Sequence, residues 1–109
     1  MRIVDKKTFL ALPENTLYSD YVPCAFDDLQ IRGKAWDSDF FCIPLAYSVD
    51  AFDTGELFDK LEDSRKNGTS VKMDLETYQR DGRLDDDQLY AVWEKSDIEQ
   101  LIERLKKCL

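Results

Sequence analysis

The spacing of apolar positions changes several times along the chain, and each change marks an element. Arg2 to Val4 reads as a short strand. A short helical segment follows from Asp5 or Lys6 to about Leu12, with Phe9 and Leu12 on one face and Pro13 as the stop. Thr16 to Val22, Ala25 to Arg32 and Phe40 to Tyr47 are rich in aromatic and aliphatic residues. They lie between turn clusters at Glu14-Asn15, Pro23-Cys24, Gly33-Lys34 and Asp37 to Asp39, a pattern that predicts a meander of antiparallel strands. Pro44 has no amide proton to give a ladder, so the third of these strands is expected at an edge or a bulge.

From Asp53 the period becomes helical. Asp53 and Glu56 stand at capping-box spacing, Leu57, Phe58 and Leu61 share a face, and Asn67-Gly68 supplies a left-handed stop. Val71, Met73 and Leu75 then alternate with Lys72, Asp74 and Glu76, which predicts a strand ending near Gln79. The turn Asp81-Gly82-Arg83 and the acids Asp85, Asp86 and Asp87 lead into Leu89 to Trp93. The large residues of that run suggest the more buried strand of a hairpin, with a helix over residues 86–95 as the alternative. Finally, Ser96 and Glu99 have capping-box spacing. Ile98, Leu101, Ile102 and Leu105 trace the stripe of an amphipathic helix that runs to the C-terminus, with Arg104, Lys106 and Lys107 at the negative end of its dipole.

The order is strand, short helix, three-strand meander, helix, hairpin, helix, without repeat, linker or second composition regime. It predicts one α+β domain over residues 1–109: a mainly antiparallel sheet with two or three helices packed on it and a C-terminal amphipathic helix. With 43% hydrophobic and 12% aromatic residues and only 4 Gly and 3 Pro, the chain departs from disordered and low-complexity sequences and can bury a core.

Charge and residue types narrow the functional classes. There is no histidine, which removes the commonest general base, the commonest neutral metal ligand and the usual partner of a Ser or Cys nucleophile. Cys24, Cys42 and Cys108 are odd in number and lack CxxC spacing, so neither a disulfide framework nor a zinc site is indicated. Cys24 and Cys42 stand beside apolar residues that raise a thiol pKa, and both read as core thiols. The acids at Asp81, Asp85, Asp86 and Asp87 lack the glycine and glutamate positions of a calcium loop and read as a solvated hairpin loop. No P-loop, GxGxxG or GxSxG is present, so no enzymatic activity and no cofactor is expected. Asn67-Gly68-Thr69 matches a glycosylation acceptor but reads as a helix-ending turn. Charge two residues after Ile3 and the break at Pro44 in the longest apolar run predict neither an export signal nor a membrane span, and hence a cytoplasmic protein.

The formal charge is −8, and all of it is local: residues 20–63 hold eleven acids against three bases (Arg32, Lys34 and Lys60), or 3 − 11 = −8. Duplex and single-strand binders present the opposite sign, so direct nucleic-acid binding is disfavoured. Such a surface is attracted to a basic patch on another protein, although a charge of this size also serves solubility alone. The same region holds eight of the thirteen aromatics. Phe40 and Phe41 are neighbours and cannot both face inward on a strand, and Trp36 falls among Lys34, Asp37, Ser38 and Asp39 in an expected loop. An exposed aromatic rimmed by carboxylates is the composition of a protein-binding hot spot.

Phe9 to Tyr18, then Pro23-Cys24-Ala25-Phe26, then Leu29 to Gly33 resemble the opening of small accessory proteins encoded by bacteriophages and prophages. The resemblance covers about a third of the chain and carries no catalytic signature. Small acidic phage proteins of this kind are similar in character to anti-CRISPR and other counter-defence inhibitors, some of which present carboxylates where phosphates would lie. The resemblance therefore implies a non-enzymatic inhibitor acting in the bacterial host cell on a defence protein with a basic, nucleic-acid-binding surface. On the reading of charge and aromatics, Asp27, Asp28, Asp37, Asp39, Asp50, Asp53, Asp85, Asp86 and Asp87 would steer association, and Trp36 and Phe41 would anchor it. Two alternatives stand beside this one. A sponge for a small signalling nucleotide would use aromatics with Arg32 and Lys34, and an oligomeric assembly component would use the C-terminal stripe.

Overall fold

A computed structural model describes residues 1–109. Seven strands, β1 (Arg2–Val4), β2 (Thr16–Val22), β3 (Ala25–Phe26), β4 (Gln30–Trp36), β5 (Asp39–Pro44), β6 (Gln79–Arg80) and β7 (Leu89–Trp93), form one antiparallel sheet. The spatial order is β1-β7-β2-β4-β5-β6, with β3 paired to β2. Three helices complete the α+β domain: α1 (Lys6–Ala11), α2 (Thr54–Asn67) and α3 (Lys95–Lys106).

Alternation along the strands decides what is buried. On one face Tyr18 stands opposite Val92, and Asp20 opposite Tyr90, while Phe40 and Cys42 point the same way from β5. α1 lies over this face. Asp5 caps it by accepting from the Thr8 amide at 2.8 Å, which sets the helix so that Phe9 enters the middle of the core. The Phe9 ring stacks on Tyr90 with centroids 3.9 Å apart and meets Tyr18 at 4.8 Å and Phe40 at 5.2 Å. Val4, Cys42 and Val92 close the cluster.

The rest of the core face is roofed by residues 81–88. They leave the sheet beside β5, where the Asp81 amide donates to the Phe40 carbonyl at 2.9 Å, and rejoin it at β7 between β1 and β2. Along the crossing, Arg83 reaches Asp20 at 2.6 Å, the buried Lys6 ammonium donates to the Asp85 carbonyl at 3.1 Å, and Gln88 donates to the Tyr21 carbonyl at 3.0 Å. Asp85, Asp86 and Asp87 stay solvent-exposed, as the sequence suggests, but they belong to a segment that crosses the core face as a lid and closes no hairpin.

Several other expectations change. The alternating residues 71–75 form no strand beyond a single bridge from Met73 to Val49. Asp74 explains this: its carboxylate accepts from the amides of Glu76 and Thr77, a local turn that competes with a ladder. No hairpin with β7 forms, and β6, only two residues long, pairs with β5. Gly33-Lys34 is an irregularity inside β4, marked by a register shift between Arg32 and Ala35, and the reversal comes at Asp37, which has φ 48°. Trp36 therefore ends a strand, and the bulge is in β4, while Pro44 closes β5. Cys24 is exposed at the β2–β3 turn, as is Cys108 near the C-terminus, and only Cys42 is buried.

α2 starts at Asp53, whose carboxylate accepts from the Glu56 amide at 2.8 Å, and stops at Gly68 with φ 72°. In α3 the cap is Glu94, two residues ahead of Ser96, and its amide donates to Asp97 at 2.9 Å. Neither α2 nor α3 contains a fully buried residue. No helix is long and apolar enough to cross a membrane.

Candidate protein-binding surface

The carboxylates divide into those committed to the fold and those left free. Asp39 belongs to the first group: only 3% exposed, it accepts from the amides of Phe40 at 2.8 Å and Gly82 at 3.0 Å and pairs with Arg80. The Arg80 hydrogen bond, with the two amides, holds its carboxyl below the usual range. Asp39 fastens the start of the lid to β5, so it cannot steer a partner as the sequence suggests. Asp53 is exposed but engaged at the start of α2.

Asp27, Asp28, Asp37, Asp50 and Asp87 are exposed and make no ion pair; Asp86 has one long contact, 4.0 Å from Lys6. The Asp85 carboxylate accepts from the Asp87 amide at 3.0 Å, which turns the lid so that its neighbours point outward. Four of these residues gather at two places. Asp37 and Asp86 line one groove of about 470 Å³ with Ser38, Leu10, Lys6 and Lys7. Asp27 and Asp28 lie near Tyr47, whose hydroxyl pKa is pushed up by burial and then by those two carboxylates.

The aromatic anchors are brought together, but elsewhere. Trp36 and Phe41 are 37% and 36% exposed with ring centroids 4.9 Å apart. Alternation puts Phe41, one residue from the buried Phe40, on the sheet face opposite the core. The groove, in which Lys6 and Lys7 balance Asp37 and Asp86, and the aromatic pair therefore occupy different faces near the β4–β5 end. Asp50 stands apart, before α2.

Sequence reasoning missed the buried polar set beneath the lid. Asp20 and Asp81 both pair with Arg83, at 2.6 and 2.9 Å, and burial raises the Asp20 pKa despite that partner. The signal was present: Asp20 is in phase with Tyr18 along β2 and must share its face. Arg32 is the largest fully buried side chain. It donates to the carbonyls of Gly33 at 2.7 Å, Pro13 at 3.0 Å and Leu12, and lies 5.4 Å from the centre of the Phe9 ring. That fixes the turn after α1 and leaves Arg32 unavailable to a phosphate.

Burial also raises the Cys42 thiol pKa, so this cysteine is held as a core thiol. No group of three or more Cys, Asp or Glu side chains is placed to hold a metal ion. Comparison with known proteins finds no matching family model, no matching curated protein and no matching solved structure.

Proposed function

We propose that the protein is a non-catalytic binding protein of the phage counter-defence kind, which engages a basic, nucleic-acid-binding surface of a host protein through its free carboxylates. The supporting observation is the division just described. Asp27, Asp28, Asp37 and Asp87 project without a cation partner, while Asp39 pairs with Arg80 and Asp20 and Asp81 share Arg83 within the fold. A free carboxylate keeps its long-range field and attracts a cationic groove, whereas a paired one does not. Lys6 and Lys7 balance Asp37 and Asp86 where these share a groove, so the field rests on the free carboxylates taken together, and the exposed Trp36–Phe41 pair supplies apolar contact from the opposite sheet face.

Affinity capture from a bacterial lysate at low and high salt tests the reading, with Asp37→Asn/Asp86→Asn/Asp87→Asn as the control bait. The expected result is one nucleic-acid-binding complex that is released by salt, displaced by its own nucleic acid and lost with the control. A partner equally retained by the control, or no nucleic-acid-binding partner at either salt, contradicts it.

A further inference from the structure

Residues 81–88 cover the core face yet bury little apolar surface of their own. They contain no helix or strand, and Leu84, their one apolar side chain, is 51% exposed. Leu84 also holds the left-handed backbone region at φ 55°, which a non-glycine residue occupies at a cost, just after Gly82 at φ 70°. Polar contacts keep the segment down. The Gly82 amide donates to Asp39, Arg83 pairs with Asp20, Lys6 donates to the Asp85 carbonyl and Gln88 to the Tyr21 carbonyl. A segment with so few buried apolar contacts opens at a smaller cost than the whole fold.

Beneath the segment the charges do not balance, because Asp20 and Asp81 share one guanidinium, that of Arg83. Asp20 is 7% exposed. Its Oδ2 meets Arg83 at 2.6 Å, while its Oδ1 is buried without a partner, as is the Tyr18 hydroxyl. An ionised carboxylate so placed gains hydration when the cover lifts, and a protonated one gains little. The other titratable groups facing Asp20 are Asp27 after β3, Tyr18 beside it on β2, Cys42 on β5 and Tyr90 on β7. Burial raises the pKa of both tyrosines and of the thiol, so all three are neutral in acid. Asp39, which holds the first turn of the segment, has a lowered pKa, whereas burial raises that of Asp20. The two titrations therefore fall on opposite sides of the ordinary value of 3.8.

We infer that residues 81–88 are a pH-gated lid, held closed when Asp20 is protonated and loosened when it is ionised, and that its opening bares the Cys42 thiol. Cys42 is buried beside Tyr18 and feels the charges of Asp81 and Arg83, so a movement that carries these two away uncovers it. In the open form Asp20 meets water and returns to its ordinary pKa, below that of the closed form. The closed form thus binds the Asp20 proton more tightly, and closure weakens as pH rises from 3.8 through the raised value and is constant above it. The device needs no partner and stands independently of the charge-driven binding.

The test is the rate at which a pyridyl disulfide, which reacts with thiols in acid as well as at neutrality, labels Cys42. The full chain carries Cys24→Ser/Cys108→Ser, which removes the two exposed thiols. Dividing each rate by that of the same chain unfolded in urea at the same pH cancels the titration of the thiol and gives a protection factor. Protection should fall on the order of tenfold as pH rises from 3.8 to neutrality. It should change little with urea well below the unfolding transition, because opening exposes little surface. Adding Asp20→Asn should leave protection high and nearly independent of pH. Asp81→Asn, which leaves Arg83 to Asp20 alone, should move the fall to lower pH. Protection indifferent to pH, a fall that persists with Asp20→Asn, or labelling that follows urea as steeply as global unfolding each overturns the inference. Should Asp20→Asn not fold, Asp81→Asn decides alone, and a fall at the unshifted pH overturns it.

Discussion

The Arg32 guanidinium, buried under the Phe9 ring, donates to the Pro13 carbonyl at 3.0 Å and ties the middle of β4 to the turn that follows α1. The same group satisfies the Leu12 and Gly33 carbonyls. Hydrogen bonds to a charged donor count for more than neutral ones, and removing the donor leaves these carbonyls short of partners. Arg32→Met is expected to lower stability by about 3 kcal/mol in urea unfolding. A loss under about 1 kcal/mol would show that the clamp is dispensable.

Two buried aspartates should respond to acid with opposite signs. The folded-state pKa of Asp39 is lowered, so its contribution is complete above the ordinary value of 3.8 and is lost as pH falls below it. The folded-state pKa of Asp20 is raised, so its charged form weakens the fold above that higher value, and the penalty is relieved as pH falls through it toward 3.8. In urea unfolding, the wild type's advantage over Asp39→Asn should shrink on acidification. Its standing relative to Asp20→Asn should improve. Parallel trends for the two variants would refute the assignment.

Gly33 is where the Tyr78 ring crosses β4. A Cβ there would lie 2.5 Å from the ring, and the Tyr78 hydroxyl donates to the Asn15 side chain at 3.2 Å. Gly33→Ala should displace the ring at a cost of about 1–2 kcal/mol. In a Tyr78→Ala background the same change should cost far less, because the obstacle is gone. Equal costs in both backgrounds would place the strain in the backbone.

Trp36 and the free carboxylates should separate kinetically on a captured partner. Trp36 lies on the face away from Asp37 and Asp86, so Trp36→Ala is expected to speed dissociation and leave the salt dependence of association intact. A biosensor trace in which Trp36→Ala mainly slows association would reverse these roles.

The elements most readable from the sequence were those closed by local chemistry. Asp53 and Gly68 bound α2 because a cap and a left-handed stop act within a few residues. Phe40 and Phe41 diverge as a pleat requires. What could not be read were long-range choices. Val71 to Leu75 alternate convincingly, but the Asp74 carboxylate captures the next amides. Where Leu89 to Trp93 would pair was settled by a crossing segment held by Lys6 and Arg83, residues far apart in sequence. The same tertiary contacts removed Asp39 from the candidate surface, since its Arg80 and Gly82 partners lie more than forty residues away.

The most direct test of charge-steered binding is the association rate on the captured partner at low and high ionic strength. It is measured for the wild type and for Asp37→Asn/Asp86→Asn/Asp87→Asn. The wild-type rate should fall on the order of tenfold or more as salt rises, and the variant should start slow and change little. A wild-type rate indifferent to salt, or a variant that matches the wild type at low salt, would contradict the account.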